Sequence, residues 1–262
     1  MLEPSYINRF NGVAKLYGQA ALETYATSHV AVVGIGGVGS WVAEGLARSG
    51  IGQITLIDLD DICVSNTNRQ IHTLADNIGQ SKVAVMAARL RLINPDLIVN
   101  EVEDFIDLDN IPTYIQSHLN YVVDAIDSVI SKSALIAYCR RHKIPIITIG
   151  GAGGQINPGQ IRVKDLSRAD IDPLLAKVRN ELRRKYHFPR NVKRRFYVEA
   201  VYSEEQIIYP WPNGELRFAR PKQSVTKLDC ADGLGAISFV TGSFAFFAVA
   251  QVLKHLHPCP VK

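Results

Sequence analysis

An α/β fold is predicted, with a doubly wound, mainly parallel sheet, helices on both faces and a C-terminal extension. Three observations predict it. Apolar strand-like runs and amphipathic helix-like segments alternate over residues 29–150, a pattern that requires right-handed crossovers between parallel strands. A glycine motif, G-x-G-x-x-G at Gly34, Gly36 and Gly39, stands between the first such run and the first such helix. Asp58 ends the second run, at the distance of about 20 residues where a carboxylate meets a ribose. Together these make a Rossmann-like nucleotide fold. The length of 262 residues suits one domain, 1–262, whose nucleotide-binding core is 29–150.

The elements follow in order. Residues 6–25 read as helical, and 29–34 as a buried strand ending in glycine. Residues 38–49 form a helix, with Val38, Val42, Leu46 and Ala47 at helical spacing. A strand at 53–58 precedes a helix at 79–93, whose Val83, Met86, Leu90 and Ile93 share a face and which Asn94-Pro95 stops. Strands at 97–102 and 119–124, a helix at 128–142 and a strand at 144–149 complete the alternation. After Gly150 come a glycine-rich turn and a strand ("GGAGGQINPGQIRV"). A short helix then starts at Asp172-Pro173, with Leu174, Val178 and Leu182 on one face. A basic loop region at 165–195 leads into a strand at 196–202.

Composition narrows the classes. The net charge of +4 is uneven: nine Lys or Arg and one acid, Glu181, lie between Lys177 and Arg195. That segment is strongly basic and the remainder of the chain is slightly acidic, so a solvated loop or a polyanion contact is expected there. Cys63, Cys139, Cys230 and Cys259 stand far apart, which predicts a reducing compartment, no disulfide framework and no structural zinc. The N-terminus carries no apolar run of the signal-peptide type, and a cytoplasmic protein is expected. Residues 236–253 carry no charge and reach the lower length limit for a membrane span. A buried or dimer-interface helix at 236–255, with no obligate membrane partner, is the preferred reading; membrane contact is the alternative.

The glycine loop alone allows either a dinucleotide or ATP. Glycine permits a tight turn and close phosphate approach, and the following helix offers unpaired N–H groups. Gly37 is an extra glycine, and the stretch after Asp58 decides. "IDLDDICVSNTNRQ" gathers Asp58, Asp60, Asn66, Asn68 and Arg69, and "GQSK" starts the next helix at Lys82. Hydride transfer has no use for these cations, whereas a triphosphate needs charge-assisted donors. Asp127, in "VVDAIDS", lies just past a strand end, where an acid can hold Mg²⁺ on phosphate oxygens. Asp124, which closes that strand, reads as structural.

The pieces "GIGGVGS", "LIDLDD", "SNTNRQ", "GQSK" and "DAIDS" resemble the adenylate-forming (ThiF/MoeB-type) superfamily of ubiquitin-activating enzymes and their bacterial relatives in thiamine and molybdopterin synthesis. The resemblance implies ATP on Gly34, Gly36, Gly37 and Gly39. It implies the ribose on Asp58 beside Asp60, the phosphates on Asn66, Arg69 and Lys82, and Mg²⁺ on Asp127. Arg69, Lys82 and Asp127 would be the catalytic set. The paired CxxC motifs of sulfur-carrier activators are absent from the sequence. "RFNGVAKLYG", "LIAYCRRHKIP", "GGAGGQI" and "KLDCADGLGA" are similar instead to the branch that dehydrates threonylcarbamoyladenosine in tRNA. That branch implies a homodimer, a tRNA substrate and a sulfur-relay acceptor protein as a further partner. A monovalent cation in the glycine-rich region after Gly150 stays an open alternative. Superfamily members often carry an Arg-x-x-Arg pattern whose second arginine reaches the partner's ATP. Here Arg9 matches the first and Gly12 replaces the second, so no arginine finger is expected from this region.

The implied chemistry is attack of the substrate carboxylate on the α-phosphorus of ATP, then ring closure by the substrate's own carbamoyl group. Proximity favours that second step. Cys230 is the candidate nucleophile, which an intramolecular attacker makes redundant. Arg183, Arg184, Lys185, Arg190, Lys193, Arg194 and Arg195, interleaved with Tyr186, His187 and Phe188, are the candidate tRNA contacts: cations for phosphates and rings for unpaired bases. Three further readings stand beside this one: activation of a ubiquitin-like sulfur carrier, nucleotide-sensing without turnover, and a dehydrogenase.

Overall fold

The structure is a computed structural model described over residues 2–221 and 234–257. Its centre is a seven-stranded sheet in the order β3-β2-β1-β4-β5-β7-β6. The strands are β1 (His29–Val33), β2 (Gln53–Ile57), β3 (Ile98–Val102), β4 (Tyr121–Asp124), β5 (Ile146–Ile149), β6 (Ile161–Asp165) and β7 (Glu199–Ser203). All neighbours pair in parallel except β6, which runs antiparallel to β7. The doubly wound sheet expected from the sequence is therefore present, with an antiparallel edge. β1 is "HVAVV" with every residue buried, as a central parallel strand covered on both faces requires.

Alternation along the strands builds two cores. Val30 and Val32 point to one face and pack with α3 (Gly39–Arg48), α4 (Lys82–Ile93) and α8 (Ser238–Leu256). Ala31 and Val33 point to the other and pack with α6 (Val129–His142) and α7 (Pro173–Lys185), following the period of two that strand geometry imposes. A short α5 (Ile111–Tyr114) adds Ile111 to this second core. Side-chain caps start three helices: Ser81 for α4, Ser128 for α6 and Asp172 for α7.

Several expectations are corrected. The N-terminal helical stretch is two helices, α1 (Pro4–Tyr17) and α2 (Gln19–Thr27), because Gly18 adopts φ 94° between them. The buried face of α7 holds Leu175, Val178 and Leu182; Leu174 is half-buried, packing against the second core and also lining a cleft. The "basic loop region" at 165–195 is largely ordered structure, since it contains the end of β6 and all of α7. The apolar C-terminal segment is a helix long and apolar enough to cross a membrane, but half of it is buried in the protein. Val240, Phe244, Ala248 and Val252 join the first core, while Phe239, Phe246 and Phe247 are exposed. β8 (Tyr209–Pro210) and β9 (Leu216–Arg217) form a separate antiparallel hairpin.

One buried ion pair locks the end of β4. Lys132 Nζ lies 2.9 Å from Asp124 Oδ2, and both side chains are fully buried. The Thr148 hydroxyl donates to the same carboxylate at 2.7 Å, and the Ile126 N–H donates to its other oxygen at 3.1 Å. Asp124 is thus structural, as its place at the strand end suggests. Removing one partner of a buried pair costs about 3–5 kcal/mol, because the other is left unpaired. Lys132→Met should lower unfolding free energy by about that amount in a urea titration. A loss under about 1 kcal/mol, the size of a surface pair, would contradict the locking role.

Candidate functional site

A cleft of about 680 Å³ opens at the carboxyl ends of the strands, between β1 and β4, where the winding direction of the sheet reverses. That switch point is the expected ligand position in an open α/β sheet. The glycine turn forms its floor. Gly34 has φ 87°, and a Cβ there would lie 2.9 Å from the Ala125 carbonyl oxygen. Gly39 would place a Cβ 1.7 Å from the Gly34 carbonyl oxygen. It is a packing residue of the turn, while Gly34, Gly36 and Gly37 line the cleft.

The charged residues expected from the sequence converge on this floor. Asp58 Oδ2 accepts the Ile35 N–H at 2.5 Å, and Oδ1 accepts the Asp60 N–H at 2.9 Å. Burial pushes its carboxyl up from the usual range, opposed by Lys82 and these N–H donors. Each oxygen keeps a second acceptor position for a hydroxyl. Lys82 is 5% exposed; its Nζ lies 2.6 Å from Asp60 Oδ2 and 3.9 Å from Asp58 Oδ1. Arg69 packs its stem over Gly37, where a Cβ would meet its Cγ at 3.2 Å. The Arg69 guanidinium donates to the Ser65 carbonyl at 2.8 Å and to Asn68 Oδ1 at 3.0 Å, and Trp41 Nε1 donates to the Arg69 carbonyl at 3.0 Å. Asn66 is buried and accepts the Cys63 N–H at 3.0 Å, so its oxygen shapes the loop while the residue lines the cleft.

Asp127 is exposed on the cleft wall, one residue before the Ser128 cap of α6. Among the described residues no three or more His, Cys, Asp or Glu groups converge. Mg²⁺ bound with a nucleotide typically takes one or two carboxylates and completes its shell with phosphate oxygens and water. An exposed carboxylate on the wall of the cleft that the glycine turn floors fits that donor set. Arg9 donates to the Ile93 carbonyl at the end of α4, at 3.1 Å, a structural contact. Cys139 is buried and Cys63 exposed. Cys230 lies outside the described residues.

Other cleft residues were not anticipated. Gln70 is 5% exposed, lines the cleft, and its Oε1 has no partner. It directly follows Arg69, and this adjacency was the available signal. Phe105 and Ile106 also line the cleft; they follow the end of β3, and the strand-end rule points there. Thr241, from α8, carries no sequence signal, because only the tertiary fold brings that helix to Arg69.

The basic residues lie elsewhere. The α7 cap Asp172 accepts the Gly151 N–H at the cleft wall, at 2.8 Å. The helix then runs 13 residues away from it, about 20 Å at 1.5 Å per residue. The chain re-enters the sheet at the amino end of β7, where the Phe196 and Tyr197 N–H groups donate to Asp165 at the far end of β6. Arg183, Arg184 and Lys185 therefore sit on the last turn of α7, at the sheet edge opposite the cleft. Arg184 and Lys185 pair with Glu181 at 2.6 and 3.0 Å. Arg190, Lys193, Arg194 and Arg195 are exposed on the loop beyond. Of the interleaved rings only His187 is exposed. Phe188 packs on Phe196, with ring centres 5.0 Å apart, and Tyr186 packs on the second core. These two rings are half-buried against the core.

Residues 10–261 match the ThiF family. The tRNA threonylcarbamoyladenosine dehydratase of Escherichia coli (strain K12) is 50% identical over 257 residues, covering 98% of this chain and 96% of that protein. The enzyme of the same name from Haemophilus influenzae is 48% identical over 252 residues, covering 96% and 94%. The crystal structure of E. coli tRNA N6-threonylcarbamoyladenosine dehydratase in complex with ATP matches with a TM-score of 0.87 at 49% identity, over 98% of this chain and 96% of that one. With the glycine turn, Asp58, Arg69 and Lys82 gathered at one cleft, these likenesses place the chain in the ThiF family, in its branch of tRNA threonylcarbamoyladenosine dehydratases.

Proposed function

We propose that this protein uses ATP to dehydrate threonylcarbamoyladenosine in the anticodon loop of tRNA through an acyl-adenylate. The observation that carries the reading is the convergence of Arg69, Lys82 and Asp127 on one cleft beside the glycine turn. The substrate carboxylate is a poor acyl electrophile. Its oxygen attacks the α-phosphorus, and pyrophosphate leaves. An atom of the carbamoyl group then attacks the activated carbonyl and expels AMP, which carries away the oxygen lost by the substrate. The second step is intramolecular and needs no enzyme nucleophile.

The chain's own groups divide this work. Gly34, Gly36 and Gly37 let phosphate approach the backbone, and Asp58 accepts ribose hydroxyls. Lys82 leaves Asp60 for the triphosphate, so a charge-assisted pair is exchanged rather than created. Arg69 turns from Ser65 towards the departing phosphates. Asp127 would hold Mg²⁺, which, when bound, neutralises charge on the phosphate oxygens. The exposed cations Arg190, Lys193, Arg194 and Arg195, with Arg183, Arg184 and Lys185, hold a part of the tRNA distant from the reacting nucleoside. A monovalent cation at the glycine-rich turn and a sulfur-relay acceptor protein complete the proposed partners, and the protein works in the cytoplasm.

Incubation with ATP and tRNA bearing the modified nucleoside, followed by nucleoside mass analysis, tests the reaction. Loss of one water from the nucleoside is expected, with AMP and pyrophosphate formed only when that tRNA is present. An unchanged nucleoside from protein that binds ATP would refute the proposal. Arg69→Ala and Lys82→Ala should each lower kcat/KM about 10²–10³-fold, the usual loss for one donor to a developing charge. Asp127→Asn should also abolish the Mg²⁺ dependence of ATP affinity in calorimetry, and Cys230→Ala should leave turnover intact.

We further propose a homodimer in which a second copy covers Phe239, Phe246 and Phe247 of α8. These rings are 50%, 51% and 41% exposed, an apolar surface that a lone soluble chain rarely leaves open. Sedimentation equilibrium should give twice the chain mass for the natural protein and a smaller mass for Phe246→Asp. A single-chain mass for the natural protein would remove this part of the reading.

A further inference from the structure

We infer that the β8–β9 hairpin is an RNA-stacking platform at the mouth of the cleft, holding a base next to the reacting nucleoside. The inference rests on the proposed tRNA substrate and adds a contact surface to it. The reacting nucleoside has to enter at the carboxyl edge of the sheet, whereas the basic end of α7 lies at the opposite edge. A second RNA contact is therefore needed near the cleft, and the hairpin stands there. The Ile208 N–H donates to the Gly154 carbonyl at 2.8 Å, and the Gly154 N–H donates to the Gly235 carbonyl at 2.6 Å. Gly153 and Leu234, the adjoining residues, line the cleft. Gly154 has φ 74°, and a Cβ there would lie 2.6 Å from Ile207 Cγ2, so the root of the hairpin fits tightly against the cleft wall. Nearby, Glu205 accepts the Ile156 and Asn157 N–H groups at 3.1 and 2.8 Å.

The hairpin presents the chemistry that recognises unpaired bases. The Arg217 guanidinium lies 4.2 Å from the centre of the Trp211 ring. Trp211 is itself oriented by its Nε1 donating to the Ala219 carbonyl at 2.9 Å. Phe218 is 59% exposed. Glu215 accepts from Arg217 Nε at 2.9 Å, which holds the guanidinium plane in place over the indole. Aromatic rings and guanidinium planes are the surfaces on which splayed-out bases stack. A base leaving the anticodon-loop stack so that its neighbour can enter the cleft would find such a surface on this hairpin. A wholly apolar partner face would suit the phenyl rows of α8 better than this mixed cationic and aromatic surface.

The test measures KM for modified tRNA and the dissociation constant for ATP, with the full-length protein. Trp211→Ala should raise KM for tRNA about tenfold or more, within the range seen when a stacking ring is removed, and Trp211→Phe should restore most of it. ATP affinity and unfolding midpoint should match the natural protein. Arg217→Gln should act in the same direction and weaken the salt dependence of tRNA binding. An unchanged KM in Trp211→Ala, with the natural protein turning over normally, overturns the platform and leaves the proposed reaction standing. A parallel loss of ATP affinity would make the hairpin a wall of the nucleotide site, and a fall in dimer mass would make it a contact with a second copy; either result overturns the inference. If the natural protein neither binds nor dehydrates the tRNA, the proposed function fails first and the platform with it.

Discussion

A lysine ammonium almost wholly removed from water is the constraint around which this cleft is built. Desolvating an ammonium costs several kcal/mol unless opposite charge stands beside it. Asp60 at 2.6 Å and Asp58 at 3.9 Å supply that charge to Lys82. The same requirement means that Lys82 can move away from Asp60 only towards another anion. A triphosphate brings more negative charge than the pyrophosphate of a nicotinamide dinucleotide. Asp58 is also tied by two backbone N–H groups, so the exchangeable partner is the exposed Asp60. The glycine turn then decides where that anion rests. Gly34 approaches Ala125, and Gly39 approaches Gly34, more closely than any side chain would allow.

The sheet divides the labour between its two edges. At the carboxyl edge, the Lys132–Asp124 pair and Thr148 hold the end of β4, and the turn that follows carries Asp127 to the cleft. At the amino edge, α7 delivers a crest of cations about 20 Å away, by its length. A small substrate would have no use for charge so far from the chemistry. On the proposed function, a folded RNA spans that distance and would be held at one edge while one nucleoside reacts at the other. Charge far from the reacting atoms contributes affinity and orientation, which an enzyme can convert into correct placement of a single base among many.

The residues that gather at the cleft floor were mostly legible in the sequence, and their surroundings were not. Gly34, Asp58, Lys82 and Asp127 were legible because each stands at or just past a strand end or helix start that periodicity predicts, whereas Arg69 lies in a turn and stood out only by the cluster of polar residues around it. Asp124 was separable from Asp127 for the same reason: one closes the strand and the other lies beyond it. Leu175 was left out of the apolar face of α7, beside Leu174, because a helix face read from three residues leaves the neighbouring position unassigned. Phe188 and Tyr186 read as stacking rings because their neighbours are cations, but the core claimed both. Thr241 was out of reach, since its contact with Arg69 spans more than a hundred residues and leaves no local period, and the hairpin was missed although its Asn213-Gly214 turn is a local signal. The position of the basic crest is a property of topology: it follows from β7 running parallel to β5, which no spacing reveals.

The central claim is that the α-phosphorus of ATP accepts the substrate's carboxylate oxygen. It is tested most directly by isotope transfer. Modified tRNA carrying ¹⁸O in the threonyl carboxylate is turned over with ordinary ATP, and AMP and inorganic phosphates are examined by mass spectrometry. The account predicts the heavy oxygen in AMP, with none in pyrophosphate. Label in inorganic phosphate, accompanied by ADP, would mean activation through the γ-phosphate and would contradict it.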